Sequence, residues 1–549
     1  YQAVDEGRHM GYAVALTTGH IPHVLDPIEP KDLALPDIKG TNIQAAAAHP
    51  PLYHSIVGFP VKLASQAGSA AVAVRIARSI SIVFGLLSVA MMYRLLRTLL
   101  PGRRDLVAMA LGAVACLPIF TFAISVAYND ALAMLGVTGV LATTAAAAVG
   151  GFRRRLYIEC AIWMSVAGLT RMTAFLATVP AALVWIWIAR DIGLGKRLRP
   201  LLRGLLAGAG LFTAAALTSG WFYIRSFVMY GDPTAATALL GHLKRVPHGY
   251  FRAFVERPAV LFEQHWTRIV GGVFLPASSE RYAHALAILT VIGIVVLGVR
   301  MVRRRPLALP DLATRWAWVA VLGAAAVNLG LVLAFHAKGG DITPRYILAF
   351  FWLQMLVLVV TMTWPRGPYL AAGVLFSMAL MHFLIMEAYA SEQVGNVLLA
   401  QEEGRRRGSD FAVAVGIRRS GVPEPEVWFV GWLALFTAGF TMIIREAFRH
   451  YRPTLASDVA LAGPGAVGGE GGRLDLPGDE ADHRERDVHD EEHEQPERDA
   501  LRGGEADGRE HHRKERLADA DAAHADRQEP HQVGDGQQAH RVEERDRDA

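Results

Sequence analysis

The chain has 549 residues, two cysteines and a formal net charge of +4 at pH 7. Up to about Pro453 it is rich in Ala, Leu, Val, Ile, Phe and Trp; beyond that it is almost purely Asp, Glu, Arg, His, Gly, Ala and Gln. The tail's charges nearly cancel, so the basic balance does not argue for nucleic acid. Cys116 and Cys160 both fall in apolar stretches, which argues against a disulfide, and no metal-ligand spacing surrounds them.

The chain opens on Asp5-Glu6, with His9 about one turn later. Residues 7–19 predict a short amphipathic helix. Pro22, Pro27, Pro30 and Pro36 then break regular structure. The run Ala45–Ala48 leads into His49-Pro50-Pro51-Leu52-Tyr53-His54. Proline is tolerated at a helix start, so a second surface helix is predicted from about Pro51 to Ala64.

A membrane helix needs roughly 20 mostly apolar residues. Eleven segments are candidates: 75–97, 106–124, 130–149, 156–170, 174–190, 203–220, 285–300, 314–335, 343–363, 368–388 and 427–447. The short pair 156–170 and 174–190 reads as a tight helical hairpin. The chain begins with Tyr1, not methionine, and a loop such as 1–70 normally follows a span. A further helix ahead of it is therefore expected, which would make twelve.

Orientation follows from Lys and Arg in the short loops. Arg94, Arg97, Arg103 and Arg104 follow the first span, and Arg153–Arg155 the third. Lys196, Arg197, Arg199 and Arg203 follow the fifth, Arg300 and Arg303–Arg305 the seventh, and Arg445, Arg449 and Arg452 the last. All fall on one side, read as cytoplasmic. Residues 1–70, 125–129, 221–284, 336–342 and 389–426 are then outside. The loop 221–284 is aromatic and reads as surface helices at the headgroup level. Three regions result: an acidic-motif loop over 1–70, a transmembrane core over 71–450, and a tail over 455–549. The tail lacks Phe, Trp, Tyr, Ile and Met, so it is expected to be disordered, or an out-of-frame translation of GC-rich DNA.

The polar residues at the outer face are candidates for chemistry. Asp5 and Glu6 suit a general base that takes a proton from an acceptor; they also suit helix capping. Asn129-Asp130 begins the third span at the same face, where an N-cap is the plain alternative. The prolines beside His49 are explained by a helix start, but two histidines and a tyrosine (His49, Tyr53, His54) are not. Arg171, Arg225 and Arg345 are expected at the outer side, where short loops are usually poor in arginine. They suit a phosphate, with snorkelling as the alternative. Tyr346 adjoins Arg345.

At these residues the chain resembles the glycosyltransferase C superfamily, in particular the protein mannosyltransferases and the aminoarabinose transferases of lipid A. The resemblance rests on Asp5-Glu6 and His9, on His49–Leu52, on Asn129-Asp130, on Trp221–Pro233 with Arg225, and on Arg345-Tyr346. It runs in order over residues 1–450, but each motif is short. The missing first helix departs from the family, as does the lack of a sizeable soluble C-terminal domain. The resemblance implies an all-α integral membrane enzyme of the inner membrane, with its site outside and its C-terminus in the cytoplasm. It would move a sugar from a polyprenyl-phosphate donor to a lipid, glycan or protein acceptor, with inversion. Asp5 would be the base, Glu6 and Asp130 the other carboxylates at the site, and basic residues would hold the carrier phosphate. Membrane lipids would surround it. No cofactor is assigned, and a divalent metal stays open. A transporter or flippase of lipid-linked sugar, a polysaccharide polymerase or ligase using His242, His248, Arg252 and His265, and a non-catalytic scaffold are the alternatives.

Overall fold

The computed structural model describes residues 6–28, 43–67, 70–190, 199–250, 277–302, 312–340, 343–363, 369–384 and 425–449. Asp5, Lys196, Arg197, Arg252, His265, Arg303–Arg305 and residues 389–424 of the expected loop 389–426 lie outside them, as does the tail over 455–549. The described residues all belong to the first of two units, Tyr1–Val467 and Gly468–Ala549. They form helices and no strand, apart from an isolated bridge between Pro27 and Ile43.

In chain order the helices are α1 (Glu6–Leu16), α2 (Leu52–Gln66), α3 (Ala70–Leu99), α4 (Arg104–Ala115), α5 (Pro118–Ser125), α6 (Asp130–Gly150), α7 (Arg154–Gly168), α8 (Met172–Ala177), α9 (Val179–Arg190) and α10 (Pro200–Tyr230). There follow α11 (Ala236–His242), α12 (Ala277–Val302), α13 (Leu312–Ala337), a 3-10 turn (Pro344–Phe350), α14 (Phe351–Thr363), α15 (Tyr369–Leu384) and α16 (Pro425–Arg449). Among the described residues seven helices are long and apolar enough to cross a membrane, or eight if the bent pair α4–α5 is one span. The shorter helix α7 and the apolar stretches His284–Val295 and Tyr369–Leu384 account for the remaining candidate segments. The chain is an all-α integral membrane protein.

One expected span is not straight. The segment 106–124 breaks between α4 and α5 by 67°. Pro118 is the cause. It lacks an N–H, and it forces Leu117 before it into an extended conformation (φ −80°, ψ 119°).

The centre of the bundle is α6, which packs against α3, α7 and α13. Its sequence is Ala, Gly and Thr with few large side chains. With no apolar drive between helices in lipid, small residues bring backbones close and dispersion does the rest. A Cβ at Gly136 would meet the Ala167 backbone at 2.9 Å, and one at Gly139 would overlap the Trp163 ring. Thr138 and Thr143 return their hydroxyls to their own helix, at Met134 and Gly139. No polar group on α6 is then left facing apolar neighbours at those positions.

Outside the bundle, α1 and α2 pack on each other and α2 packs on α3. Gly58 allows this, because any side chain there would collide with the Ala13 carbonyl. The other side of α2 exposes Ile56, Phe59 and Leu63, as a helix lying along a membrane surface would.

Candidate functional site

Five chain segments converge at the start of α6. The helix α1 carries His9. The stiff Pro50-Pro51 step holds His49 just before α2 and His54 in its first turn. The Leu52 N–H bonds the Leu169 carbonyl at 3.2 Å, which ties this step to the turn after α7. Tyr128, Asn129 and Asp130 open α6, Arg171 lies in the turn between α7 and α8, and Arg345-Tyr346 lie on the 3-10 turn.

The histidines lie ring on ring. His9 stacks on His54 with ring centres 5.2 Å apart and on His49 at 6.1 Å. His9 Nδ1 and His54 Nε2 share a hydrogen bond of 2.9 Å, so one ring donates and the other accepts. Tyr128 leans on His9 at 5.0 Å. The Arg345 guanidinium also lies over Tyr128, 5.2 Å from the ring centre. Arg345 also lies 5.5 Å from the Tyr346 ring, and Arg171 lies 5.1 Å from the same ring. Two arginines thus share one tyrosine, an arrangement held by cation–π attraction.

Arg171 forms an ion pair with Asp130, both buried. A small cavity of about 20 Å³ opens between them, lined also by Asn328, Arg345 and Tyr346. That is room for about one water molecule. Asn129 donates to the Thr170 carbonyl at 3.1 Å, while its Oδ1 is buried with no hydrogen-bond partner. Asn328 likewise donates to the Tyr346 carbonyl at 3.3 Å and has an unpartnered Oδ1. Buried acceptors left empty cost free energy, so two of them beside one cluster mark a place built to meet donors.

Burial dominates the histidines' titration. It pushes His54 down to about 3, with the field of Arg171 acting the same way and the Pro50 backbone opposing. Burial, and then the neighbouring histidines and arginines, hold His9 and His49 well below the usual histidine range. All three rings are neutral at pH 7. They can donate and accept hydrogen bonds without adding charge beside two guanidinium groups.

Three candidates face elsewhere. Glu6 is fully buried, and both its oxygens are engaged. Arg78 donates to them at 2.8 and 2.6 Å, and the Ala127 N–H donates at 2.9 Å. Glu6 therefore fastens α1 to α3 and to the segment before α6. Tyr53 bonds Ser81 at 2.7 Å and belongs to the apolar contact between α2 and α3. Arg225 donates to the Ile21 carbonyl at 2.9 Å and so ties α10 to the loop after α1. Asp5 lies outside the described residues. His242 is exposed, and His248 pairs with His336, ring centres 5.1 Å apart. Among the described residues no group of three His, Cys, Asp or Glu is arranged to hold a metal ion.

Sequence reasoning missed Asn328. Its signal was there: an amide inside the apolar span α13 is costly in lipid and so marks a functional position. Tyr128, directly before the Asn129-Asp130 pair, joins His9 to Arg345.

No protein-family model matches the chain, and no curated protein does. Among solved structures it is similar to the crystal structure of ArnT from Cupriavidus metallidurans bound to undecaprenyl phosphate. The identity is 18%, the match covers 83% of this chain and 75% of that one, and the TM-score is 0.40. So distant a likeness assigns no residue a role; the site rests on the geometry above.

Proposed function

We propose that this protein is a membrane glycosyltransferase that takes its sugar from a polyprenyl-phosphate donor. The observation that carries the reading is the meeting of Arg171 and Arg345 over one tyrosine, beside neutral His9, His49 and His54. Among the described residues lining the cavity there are two guanidinium groups and one carboxylate. A phosphate is the ligand whose charge and fork geometry such a pair matches. The cluster sits at the end of α6, where a phosphate at the headgroup level of a bilayer would lie. The donor then enters sideways from the lipid, its chain staying in the bilayer.

In this mechanism the acceptor hydroxyl loses its proton to Asp5, which directly precedes buried Glu6 in the sequence. The hydroxyl oxygen attacks the anomeric carbon, and the bond from that carbon to the phosphate oxygen breaks. The lipid phosphate leaves with the electron pair, and its charge is met by Arg171 and Arg345. A single displacement of this kind inverts the anomeric centre. Asp130 holds Arg171 in place, and Tyr346 and Asn328 position the arginines. The sequence resemblance supports the same class, and the basic clusters support an extracytoplasmic site with a cytoplasmic C-terminus.

The 67° break between α4 and α5 supports a second reading as a carrier of lipid-linked sugar, since transporters use broken helices. The break itself is Cys116-Leu117-Pro118, with no charge to hold a substrate. Purified full-length protein offered radiolabelled polyprenyl-phosphate sugars tests the two. Release of the lipid phosphate with sugar on an acceptor supports the transferase. Movement of intact donor between leaflets without cleavage would replace it with the carrier.

A further inference from the structure

The opposite end of α6 carries a second polar feature. The helix has 21 residues, so it is about 30 Å long, the thickness of a bilayer's hydrocarbon core. Where it ends, a groove of about 670 Å³ opens between α3, α6 and α7, lined by Arg94, Arg153, Arg155, Ile158, Glu159 and Ile162 among others. Arg94 is committed to an ion pair with Glu159. Arg153 and Arg155 are exposed and pair with no described acidic group. The helix α7 starts at Arg154 without a side-chain cap, so the positive end of its dipole lies at the same place.

Next to these charges the wall turns apolar. Ile158 and Ile162, one turn apart on α7, are 47% and 55% exposed. A soluble anion gains nothing from that surface. A phospholipid does, with its phosphate at the arginines and a chain along the isoleucines. We infer that this groove binds an anionic phospholipid of the leaflet opposite the histidine–arginine site. Two uncommitted guanidinium groups match a phosphate by charge and by bidentate geometry. The inference does not depend on the transferase reading.

The test is titration of the purified full-length protein with dioleoyl phosphatidylglycerol or dioleoyl phosphatidylcholine, with bound lipid counted by native mass spectrometry. Saturable binding of the anionic lipid, at least about tenfold tighter than of the zwitterionic one, is expected. The double variant R153Q/R155Q should weaken it by about 10- to 30-fold. Ile162→Asn, which keeps both arginines, should weaken it too. Glycerol phosphate, the headgroup chemistry without chains, should not displace it. Equal binding of phosphatidylcholine, or wild-type affinity in the double variant, overturns the inference. Competition by glycerol phosphate on equal terms overturns the lipid and leaves a soluble-anion site. Should the double variant fail to fold, Ile162→Asn and the competition decide the matter.

Discussion

Arg171 and Asp130, 41 residues apart, meet as a buried ion pair at the start of α6. Side-chain exposure is 11% for the arginine and 2% for the aspartate. Removing one partner leaves an uncompensated buried charge, which costs about 3–5 kcal/mol. Asp130→Asn is therefore expected to lower stability by that amount. Replacing both residues with Leu and Met should cost less than the single change. Thermal unfolding in detergent checks it. A double variant that is less stable than Asp130→Asn would show that the pair stabilises the fold beyond charge balance.

Much of the architecture was legible because lipid imposes a simple rule: long apolar runs become helices. Each of the eleven apolar segments overlaps a helix among the described residues. The break at Pro118 was missed because hydropathy records length and not straightness. The polar candidates were harder. His9, His49, His54, Asn129, Asp130, Arg171 and Arg345 could be picked out as polar groups in apolar surroundings. Their directions could not, since the period of a helix gives faces but not what lies opposite each face. Glu6 is the instructive case. Its partner Arg78 lies 72 residues away on α3, and no local pattern joins the two. Tyr53 and His54 are neighbours on α2, yet one turns to Ser81 and the other to His9.

The contact of α1 with α2 depends on the missing side chain at Gly58. A Cβ there would run into the Ala13 carbonyl, which is backbone and cannot move aside alone. Gly58→Val should lower the unfolding temperature and reduce transfer, because His9 and His54 are carried on the two helices. Gly220→Val, where nothing lies within 4 Å, is the control and should change little. Equal effects would mean the close approach does not hold the helices in place.

Low pH should loosen the histidine stack. His54 has a folded-state value of about 3, against about 6.5 in an unfolded chain. The unfolded chain therefore binds more protons between those values, and stability falls as pH drops from about 6.5 toward 3. Above about 6.5 this contribution is constant. His9 and His49 are shifted the same way and add to the slope. Unfolding temperature measured between pH 7.5 and 5 should fall, and His54→Gln should flatten the dependence even if it lowers stability throughout. An unchanged slope in the variant would remove His54 from the account.

Arg345 lies over the rings of Tyr128 and Tyr346. Lysine keeps the charge but loses the planar stacking and the fork. Arg345→Lys is expected to raise the donor KM about tenfold while stability changes by about 1 kcal/mol or less. Normal donor kinetics would return Arg345 to a snorkelling residue.

The acidic pair at the start of the chain separates chemistry from anchoring. Glu6 is buried against Arg78 and the Ala127 N–H, so Glu6→Gln breaks an ion pair across α1 and α3. It should lower stability and leave turnover per folded molecule largely intact. Asp5→Asn is nearly isosteric and asparagine is as good a helix cap as aspartate, but it cannot take a proton. Loss of a general base costs roughly 10²–10⁴ in rate, with donor binding and unfolding temperature close to wild type. The opposite pattern, with turnover lost in Glu6→Gln at normal stability and retained in Asp5→Asn, would move the base to Glu6. That carboxylate would then have to leave Arg78 during the reaction, a movement that an Arg78→Lys variant should make easier and so accelerate.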